Sequence, residues 1–307
     1  MDSTSPFVQL FHLYTPTGGI GAHLSQEVAR QNAGAPLIVV TGSDPLLFFD
    51  GDGGPPVVTC RDKQAPMTEP EIRTSSVTIP VVDGTTMGGY LAAPAAPGPH
   101  PAIFVIQEIF GVNAHIRDVT ERFARAGYLA LAPEIFHRVA PGYQGSYDDI
   151  PGGIALVSKL TPDGVMADLA AAHAWLAARD DVRPGRIAAV GYCMGGRLAF
   201  VANATLPLGA AVSYYGGGIA TNHLDLAGAL RGPQLLVWAG NDPWIPPADR
   251  DRVHAAVRDA GKRYVNVEFS GVNHGFFCDE RSDYDAGASR QAWALTLAFL
   301  DHWLRAA

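Results

Sequence analysis

The sequence predicts an α/β fold with a mostly parallel sheet and helices on both faces. Two observations lead to this prediction. From about residue 67 onward, apolar runs of strand length alternate with stretches whose apolar residues recur at helical spacing. Some runs, such as residues 102–106, are continuously apolar, as expected of parallel strands that helices cover on both sides. The chain of 307 residues is long enough to bury a large core without disulfides or metal ions.

Local signals along the chain mark the predicted strands and helices. The Asp-Gly pair at 83–84 is a favoured turn between apolar stretches and predicts a hairpin of residues 77–82 and 87–92. Asn113 can cap a helix that Gly127 ends, and the Thr-Pro pair at 161–162 opens another. The other predicted elements are strands at 102–107, 128–132, 187–190, 210–214, 235–239 and 264–269, and helices starting at Met194, starting at Pro247 and spanning 289–304.

Composition divides the chain into two regimes. Residues 1–66 are rich in Gly, Pro and Asp, and their one good apolar run, Leu37–Val40, has no sustained period around it. We therefore expect an N-terminal extension of unknown role over residues 1–73 and one α/β domain over residues 74–307. The extension is either an appendage, including the case of a start codon placed too early with Met67 as the alternative, or a small subdomain.

The composition also argues against several classes of partner. Lys and Arg number 22 and Asp and Glu 30, so the net charge is −8. Neither nucleic acid nor an anionic membrane is an expected partner of such a chain. No apolar run approaches the roughly 20 residues that span a bilayer, and no secretory signal is visible. The three cysteines form no CxxC pair, which excludes a disulfide framework and predicts a reducing, cytoplasmic location.

The strongest chemical signal is GYCMGG at residues 191–196, between a predicted strand and a predicted helix. It matches the nucleophile-elbow pattern G-x-S-x-G, with Cys193 in place of serine. Glycines around the nucleophile let strand and helix approach each other at a strained turn. The helix N-terminus favours a thiolate, and the N–H of Met194 is expected to face an oxyanion. The alternative is a buried cysteine in a glycine-rich turn.

Two further polar residues follow the last predicted strands. Asp242 comes directly after strand 235–239, and His274 comes shortly after strand 264–269. Taken singly, each has a structural alternative: a turn aspartate before proline, or a loop histidine without a role. Together with Cys193 they occur in the order nucleophile, acid, histidine, which is the α/β-hydrolase order. All three are expected at the carboxyl edge of the sheet, where ligands bind.

A fourth signal follows the strand at 102–107. In folds of this kind the loop after that strand supplies the second oxyanion-hole N–H, which we assign to Ile109. Glu108 is unexpected there, because a carboxylate beside a thiolate is repulsive. It makes sense if it hydrogen-bonds a neutral thiol or takes its proton. The alternative is a solvated loop glutamate.

Five ordered segments carry a family resemblance. They are QEIFGVN at 107–113, LAPEIFHR at 131–138, GYCMGG at 191–196, DPWIP at 242–246 and HGF at 274–276. With them the chain resembles the dienelactone hydrolases, also called carboxymethylenebutenolidases, over about residues 74–307. The resemblance implies an α/β-hydrolase fold without cofactor or metal. It also implies hydrolysis of an enol-lactone, dienelactone to maleylacetate, in bacterial degradation of chlorinated aromatic compounds.

The resemblance further implies roles for single residues. It makes Cys193 the nucleophile, His274 the base and Asp242 the residue that orients the histidine. Glu108 is implied to hold the resting thiol and to accept its proton when substrate arrives. Arg138 is implied to bind the substrate carboxylate.

One departure from the family pattern concerns the substrate. Lactonase members carry a second carboxylate-binding arginine four residues after the histidine, and here that position is Cys278. Arg281, three residues further on, is the alternative second clamp. Trp244, in the DPWIP segment, is an expected substrate contact.

The sequence therefore predicts a cofactor-free hydrolase of a small-molecule enol-lactone or ester, acting through a thioester acyl-enzyme. The nearest alternative is a carboxylesterase or lactonase for a different, uncharged substrate. The sequence is also compatible with a non-catalytic binding protein of the same fold and with a redox role for Cys193 and Cys278. The protein is expected to be a monomer or a small homo-oligomer.

Overall fold

The computed structural model describes residues 69–305 and, before them, the backbone of three short strands. These are β1 (Phe11–His12), β2 (Leu37–Val40) and β3 (Leu47–Phe49). The chain divides into two units, Met1–Thr68 and Glu69–Ala307. In the first unit β2 pairs in parallel with β1 and antiparallel with β3. Cys60 and the alternative start at Met67 lie outside the described residues.

The second unit is built on an eight-stranded sheet. Its strands are β4 (Ile72–Pro80), β5 (Thr86–Pro94), β6 (His100–Ile106), β7 (Leu129–Pro133), β8 (Val182–Tyr192), β9 (Ala210–Tyr214), β10 (Gln234–Ala239) and β11 (Tyr264–Phe269). The order is β11-β10-β9-β8-β6-β7-β5-β4, and β6 to β11 are parallel. From β6 the chain moves to β7 on one side and then to β8 on the other. This switch point is where open α/β sheets bind ligands.

Helices connect the parallel strands. They are α1 (Ala114–Arg125), α2 (Ile150–Val157), α3 (Pro162–Ala177), α4 (Met194–Thr205), α5 (Ile219–Asn222), a 3-10 helix (Leu224–Ala229), α6 (Pro247–Asp259) and α7 (Ala286–Leu304). The Asn113 side chain caps α1 by accepting a hydrogen bond from the N–H of Ile116, at 3.2 Å. Thr161 caps α3 in the same way through Gly164, at 3.2 Å. Both helix starts are as predicted.

The sheet separates two apolar clusters, and alternate residues of β6 enter each. Ile103 and Val105 belong to the cluster that contains the inner faces of α1 and α7. Phe104 and Ile106 belong to the cluster that contains the buried residues of α3. The prediction of helices on both faces is thus confirmed. None of the helices described between residues 69 and 305 combines the length and the apolar character of a bilayer-spanning helix.

The predicted elements are present, and some of their bounds need correction. β4 begins at Ile72 and pairs along its whole length with β5, so residues 72 and 73 belong to the hairpin and not to an extension ending at residue 73. α7 begins at Ala286, three residues earlier than predicted. The Asp285 side chain accepts a hydrogen bond from the Ala288 N–H at 2.7 Å and starts the helix there.

Helix α2 is absent from the sequence prediction. It contains Pro151, Gly152 and Gly153, which have low helix propensity. The Asp149 side chain nevertheless accepts a hydrogen bond from the Gly152 N–H at 2.9 Å and caps it. The cap and the packing of the buried Gly153 therefore outweigh the low helix propensity of this segment. α5 and the 3-10 helix were also missed.

Candidate active site

A cavity of about 210 Å³ lies at the carboxyl ends of the central strands. Cys193 and His274 both line it. Ile109, Met194, Trp244 and Arg281 line it as well, so six of the residues singled out from the sequence meet there. Among residues 69–305, no three His, Cys, Asp or Glu side chains are arranged to hold a metal ion.

Cys193 stands on a sharp turn between β8 and α4. Its backbone has φ 56° and ψ −116°, a conformation that costs a side-chain-bearing residue free energy. The Cys193 N–H donates to the carbonyl of Tyr214 at 3.1 Å, which ties the turn to β9. The side chain is partly exposed to the cavity. This is the strained strand–turn–helix geometry of a nucleophile elbow.

The glycines of the elbow are required by close backbone contacts. A Cβ on Gly191 would lie 1.9 Å from the Gly195 carbonyl oxygen. A Cβ on Gly195 would lie 2.1 Å from the carbonyl oxygen of Ile106, and one on Gly196 would lie 2.3 Å from that of Tyr214. Backbone atoms cannot move aside as side chains do. β8, α4 and the neighbouring strands therefore pack this closely only because side chains are absent.

The other two triad candidates are joined by a hydrogen bond. Nδ1 of His274 lies 2.7 Å from Oδ2 of Asp242, and both residues are buried. The second carboxylate oxygen of Asp242 accepts the N–H of Trp244 at 2.8 Å, which fixes the orientation of the carboxylate. An ionised carboxylate can only accept, so Nδ1 is the donor and Nε2 is left for the thiol. The His274 ring also packs on Tyr215, with centroids 4.9 Å apart.

The protonation of His274 depends on the charge of Cys193. Burial lowers the pKa of His274, but the charge of Cys193 and the hydrogen bonds to Asp242 and Cys193 outweigh it and raise the pKa to about 10. The imidazole is therefore protonated while a thiolate is beside it. Because the Cys193 charge is the largest raising cause, loss of that charge lets the pKa of His274 fall.

Glu108 follows β6 and is buried beside the cavity, with 1% of its surface exposed. Neither carboxylate oxygen has a hydrogen-bond partner among the described residues. Nη1 of Arg281 approaches Oε1 to 3.9 Å, which is longer than a hydrogen bond. A buried carboxylate with open acceptor positions can take a proton or accept one in a hydrogen bond.

Arg281 reaches the cavity through two successive turns. The Cys278 N–H donates to the Gly275 carbonyl, and the Arg281 N–H donates to the Cys278 carbonyl, at 2.9 and 3.1 Å. Gly275 has φ +81°, and a Cβ there would lie 2.7 Å from Cζ of Arg281. The guanidinium also lies over the ring of Phe110, 5.9 Å from its centroid. The chain thus turns back so that Arg281 lines the cavity, and its role as a second clamp stays a prediction.

Arg138 lies elsewhere, which corrects the expectation that it faces a substrate. It is not among the residues that line the cavity. Its Nη2 lies 2.7 Å from Oδ1 of the fully buried Asp168, and its Nε lies 3.2 Å from Oδ2. Its Nη1 donates to Asp83 in the hairpin turn. Two carboxylates therefore occupy this guanidinium, which joins α3 to the hairpin.

Cys278 and Trp244 differ in their access to the site. Cys278 is fully buried and does not line the cavity, so it is not placed to touch a substrate. Burial, followed by the charge of Glu108, raises the pKa of its thiol to about 12. Trp244 lines the cavity and is 60% exposed, as a side chain at its mouth would be.

Besides Phe110 and Gly217, two parts of the cavity lining were not predicted from the sequence. One is α2, which contributes Ile150, Ile154 and Val157 to the lining. The other is Arg197, in the first turn of α4. The signal for Arg197 was present, because a residue four positions after the nucleophile of an elbow lies on the same side of the following helix.

Three comparisons bear on the family. A model of the dienelactone hydrolase family matches residues 87–304. A Synechocystis sp. protein named "Putative carboxymethylenebutenolidase" is 36% identical, over 73% of this chain and 94% of its own. A Methylorubrum extorquens protein of the same name is 37% identical, over 75% of this chain and 79% of its own. The crystal structure of a "Putative Dienelactone Hydrolase" from Klebsiella pneumoniae aligns with TM-score 0.70 and 34% identity, over 76% of this chain and 100% of that chain.

The matched region contains the strands and loops that build the cavity. It includes the elbow at Cys193 and the hydrogen-bonded pair of Asp242 and His274. The eight-stranded, mostly parallel sheet with helices on both faces is the fold of these hydrolases. The chain therefore belongs to the dienelactone hydrolase family and is an α/β-hydrolase of carboxylic ester bonds.

Proposed function

We propose that this protein hydrolyses a small enol-lactone or ester through a thioester acyl-enzyme on Cys193. One observation supports the proposal most directly. The thiol on the strained elbow and a histidine that is hydrogen-bonded to a buried aspartate both line the same cavity. Cys193 is the nucleophile, His274 the acid and base, and Asp242 orients the histidine.

The first half-reaction is acylation. The thiolate of Cys193 attacks the carbonyl carbon of the bound substrate and forms a tetrahedral oxyanion. The N–H groups of Met194 and Ile109, two residues that line the cavity, stabilise this oxyanion. The C–O bond then breaks, and the leaving oxygen takes the proton from Nε2 of His274. An enol is a good leaving group, which suits a thiolate nucleophile.

The second half-reaction is deacylation. In the thioester, Cys193 carries no charge, so the pKa of His274 falls and the neutral imidazole becomes available as a base. His274 takes a proton from water, the hydroxide adds to the thioester, and the thiolate leaves. The same residue thus serves as acid first and base second, and Asp242 holds its tautomer throughout.

Glu108 is proposed to accept a hydrogen bond from the resting thiol and then to take its proton. Its burial supports this role, because a solvated loop glutamate would be exposed. A neutral thiol can donate to Glu108, which takes the proton as the thiolate forms. The thiolate charge raises the pKa of His274, and the proton passes from Glu108 to Nε2, from which the leaving oxygen takes it. Arg281, at 3.9 Å, offsets the negative charge that would otherwise repel the thiolate.

The substrate class has two candidates. The relatives' names point to an enol-lactone of the dienelactone type. The apolar side chains of α2 in the cavity favour a second candidate, a carboxylesterase for a more apolar ester. A redox role for the cysteines has less support, because burial and a raised pKa make Cys278 a poor partner for Cys193. Aromatic degradation and a cytoplasmic location stay predictions from the sequence.

The test combines two variants with mass spectrometry. Cys193→Ala should lower kcat/KM for 4-nitrophenyl acetate by roughly 10³-fold or more, whereas the matched control Cys278→Ala should stay within about threefold of wild type. Quenched reactions of His274→Ala should show an acyl group on Cys193, because deacylation then lacks its base. Substantial turnover by Cys193→Ala would contradict the mechanism. Comparing enol-lactones with 4-nitrophenyl esters on the wild type decides between the two substrate candidates.

A further inference from the structure

Arg197 is a cavity residue that the triad does not use. It lies in the first turn of α4, and its N–H donates to the Cys193 carbonyl at 3.3 Å, so it is held next to the nucleophile. Its Nε is buried without a hydrogen-bond partner among the described residues. The guanidinium makes no ion pair with any residue in the range 69–305. Arg197 therefore lines the cavity without a carboxylate partner among the described residues.

Arg138 and Arg281, the two arginines expected from the sequence to bind substrate, both have carboxylate partners. Arg138 is paired with Asp168 and Asp83. Arg281 has Glu108 at 3.9 Å and Asp283 at 3.4 Å. Each of these guanidinium groups is balanced by protein carboxylates, and a ligand would have to displace one of them.

The position of Arg197 is unfavourable for the free protein. The N-terminal turn of a helix carries partial positive charge, which repels a cation. Burial lowers the pKa of Arg197, and the Cys193 charge offsets this in part. A buried polar group that lacks a partner costs free energy. Such a cost is expected where a ligand supplies the missing partner.

The loop after β9 leaves room beside this guanidinium. Gly217 lines the cavity, and Gly218 has φ +84°. A Cβ on Gly218 would lie 2.9 Å from Nη1 of Arg197, so a side chain there would crowd the group. The absence of a side chain at Gly218 therefore keeps the space around Nη1 open.

We propose that Arg197 binds a carboxylate carried by the substrate, and this inference rests on the proposed function. A guanidinium binds a carboxylate through two parallel hydrogen bonds, which fixes the ligand's orientation as well as its charge. The apolar side chains of Ile150, Ile154 and Val157 then contact the body of the ligand. The favoured substrate is an ester or lactone with an apolar body and one carboxylate, and Arg197 determines that preference.

The competing role is electrostatic support of the Cys193 thiolate. In that case loss of Arg197 would slow every substrate alike and would shift the pH dependence of thiol alkylation upward. A carboxylate-binding role instead changes the ratio between a charged and a neutral substrate. These two readouts separate the roles.

The probes are mono-4-nitrophenyl glutarate and 4-nitrophenyl butyrate, which share a leaving group and differ in the terminal carboxylate. Arg197→Gln should lower the ratio of kcat/KM for the glutarate over the butyrate by roughly 10- to 100-fold. Arg197→Lys should recover part of the ratio, because it keeps the charge and loses the paired hydrogen bonds. Arg252→Gln, an exposed arginine of α6 outside the cavity, makes the same change in net charge and should leave the ratio unchanged.

A binding measurement covers the case in which Arg197→Gln folds poorly. Glutarate should inhibit butyrate hydrolysis competitively in the wild type and at least tenfold more weakly in Arg197→Lys. An unchanged substrate ratio in Arg197→Gln, or an equal loss on both esters with a shifted alkylation profile, would overturn the inference. Failure of the proposed function looks different, because the wild type would then hydrolyse neither ester through Cys193.

Discussion

The loops at the carboxyl ends of the parallel strands and the helix α2 meet at one cavity, but they are specified in different ways. The loops place Cys193, Asp242 and His274 by backbone features: a strained φ, glycines in contact with carbonyls, and a carboxylate fixed by an N–H. Helix α2 contributes apolar side chains on a short segment with a single buried residue. The proposed chemistry thus rests on the closely packed region, and the proposed fit to a substrate body rests on the less buried one.

The loops at the carboxyl edge of the sheet and helix α2 should respond differently to substitution. In the elbow, one added methyl group meets backbone that cannot move. On α2, a shortened side chain removes contact area and leaves the fold intact. We therefore expect large, all-or-none effects from the first region and small, substrate-dependent effects from the second.

The largest effect is expected from Gly195→Ala. Its Cβ would lie 2.1 Å from the Ile106 carbonyl oxygen, so β6 and α4 would have to separate. Overpacking against backbone should lower the free energy of unfolding by about 3 kcal/mol or more and displace the Met194 N–H. Chemical denaturation and kcat for 4-nitrophenyl acetate measure the two losses.

Gly228→Ala is the matched control for that change. Gly228 has open space around the position of a Cβ, and it lies in the 3-10 helix outside the cavity lining. Its unfolding free energy should stay within about 1 kcal/mol of wild type. Equal stability of the two variants would show that the elbow is not held by close backbone packing.

A smaller effect is expected from Arg138→Gln. The change leaves the fully buried Asp168 with His137, 2.9 Å away, as its remaining ion-pair partner. Because the Arg138 side chain is 20% exposed, the loss should be about 1–3 kcal/mol, or roughly 3–10 °C in Tm. The ratio of charged over neutral ester hydrolysis should not change. A fall in that ratio would return Arg138 to the substrate-binding role predicted from the sequence.

The pH dependence of this variant has a defined sign. The pKa of Asp83 is lowered from 3.8 to about 2, first by hydrogen bonding to Thr85 and then by Arg138. A lowered carboxyl pKa contributes stability above the unfolded value, and the contribution is lost as the pH falls through the folded value. The part of the Tm difference that comes from Asp83 should therefore shrink between pH 4 and pH 2.

Much of the fold could be predicted from the sequence because its signals are local. Continuous apolar runs marked β6 and β10, and Asn113 and Thr161 marked two helix starts. Helix α2 escaped prediction because its Pro-Gly-Gly sequence contradicts its structure, and only the Asp149 cap and the packing of Gly153 explain it.

The residues of the candidate site also differ in how far the sequence predicts them. The positions of Cys193, Asp242 and His274 follow from strand ends and chain order, which the sequence displays. The direction in which an arginine side chain points does not follow from these features. Arg138 points to buried Asp168, which is 30 residues away in sequence, and Arg281 points to the cavity because two turns bring it back. The first direction depends on a partner far away in the sequence and the second on two successive turns, and no sequence pattern shows either of them.

The smallest effect is expected from a substitution in helix α2. Ile154 lines the cavity and is 50% exposed, so Ile154→Ala should leave the unfolding free energy within about 0.5 kcal/mol of wild type. Loss of its apolar contact should lower kcat/KM for 4-nitrophenyl butyrate by roughly three- to tenfold and change that for the acetate less. Val82→Ala, at a 92% exposed residue outside the cavity, is the control and should change neither. An equal loss on both esters would mean that α2 shapes the catalytic loops themselves, since a contact with the substrate body must depend on the length of that body.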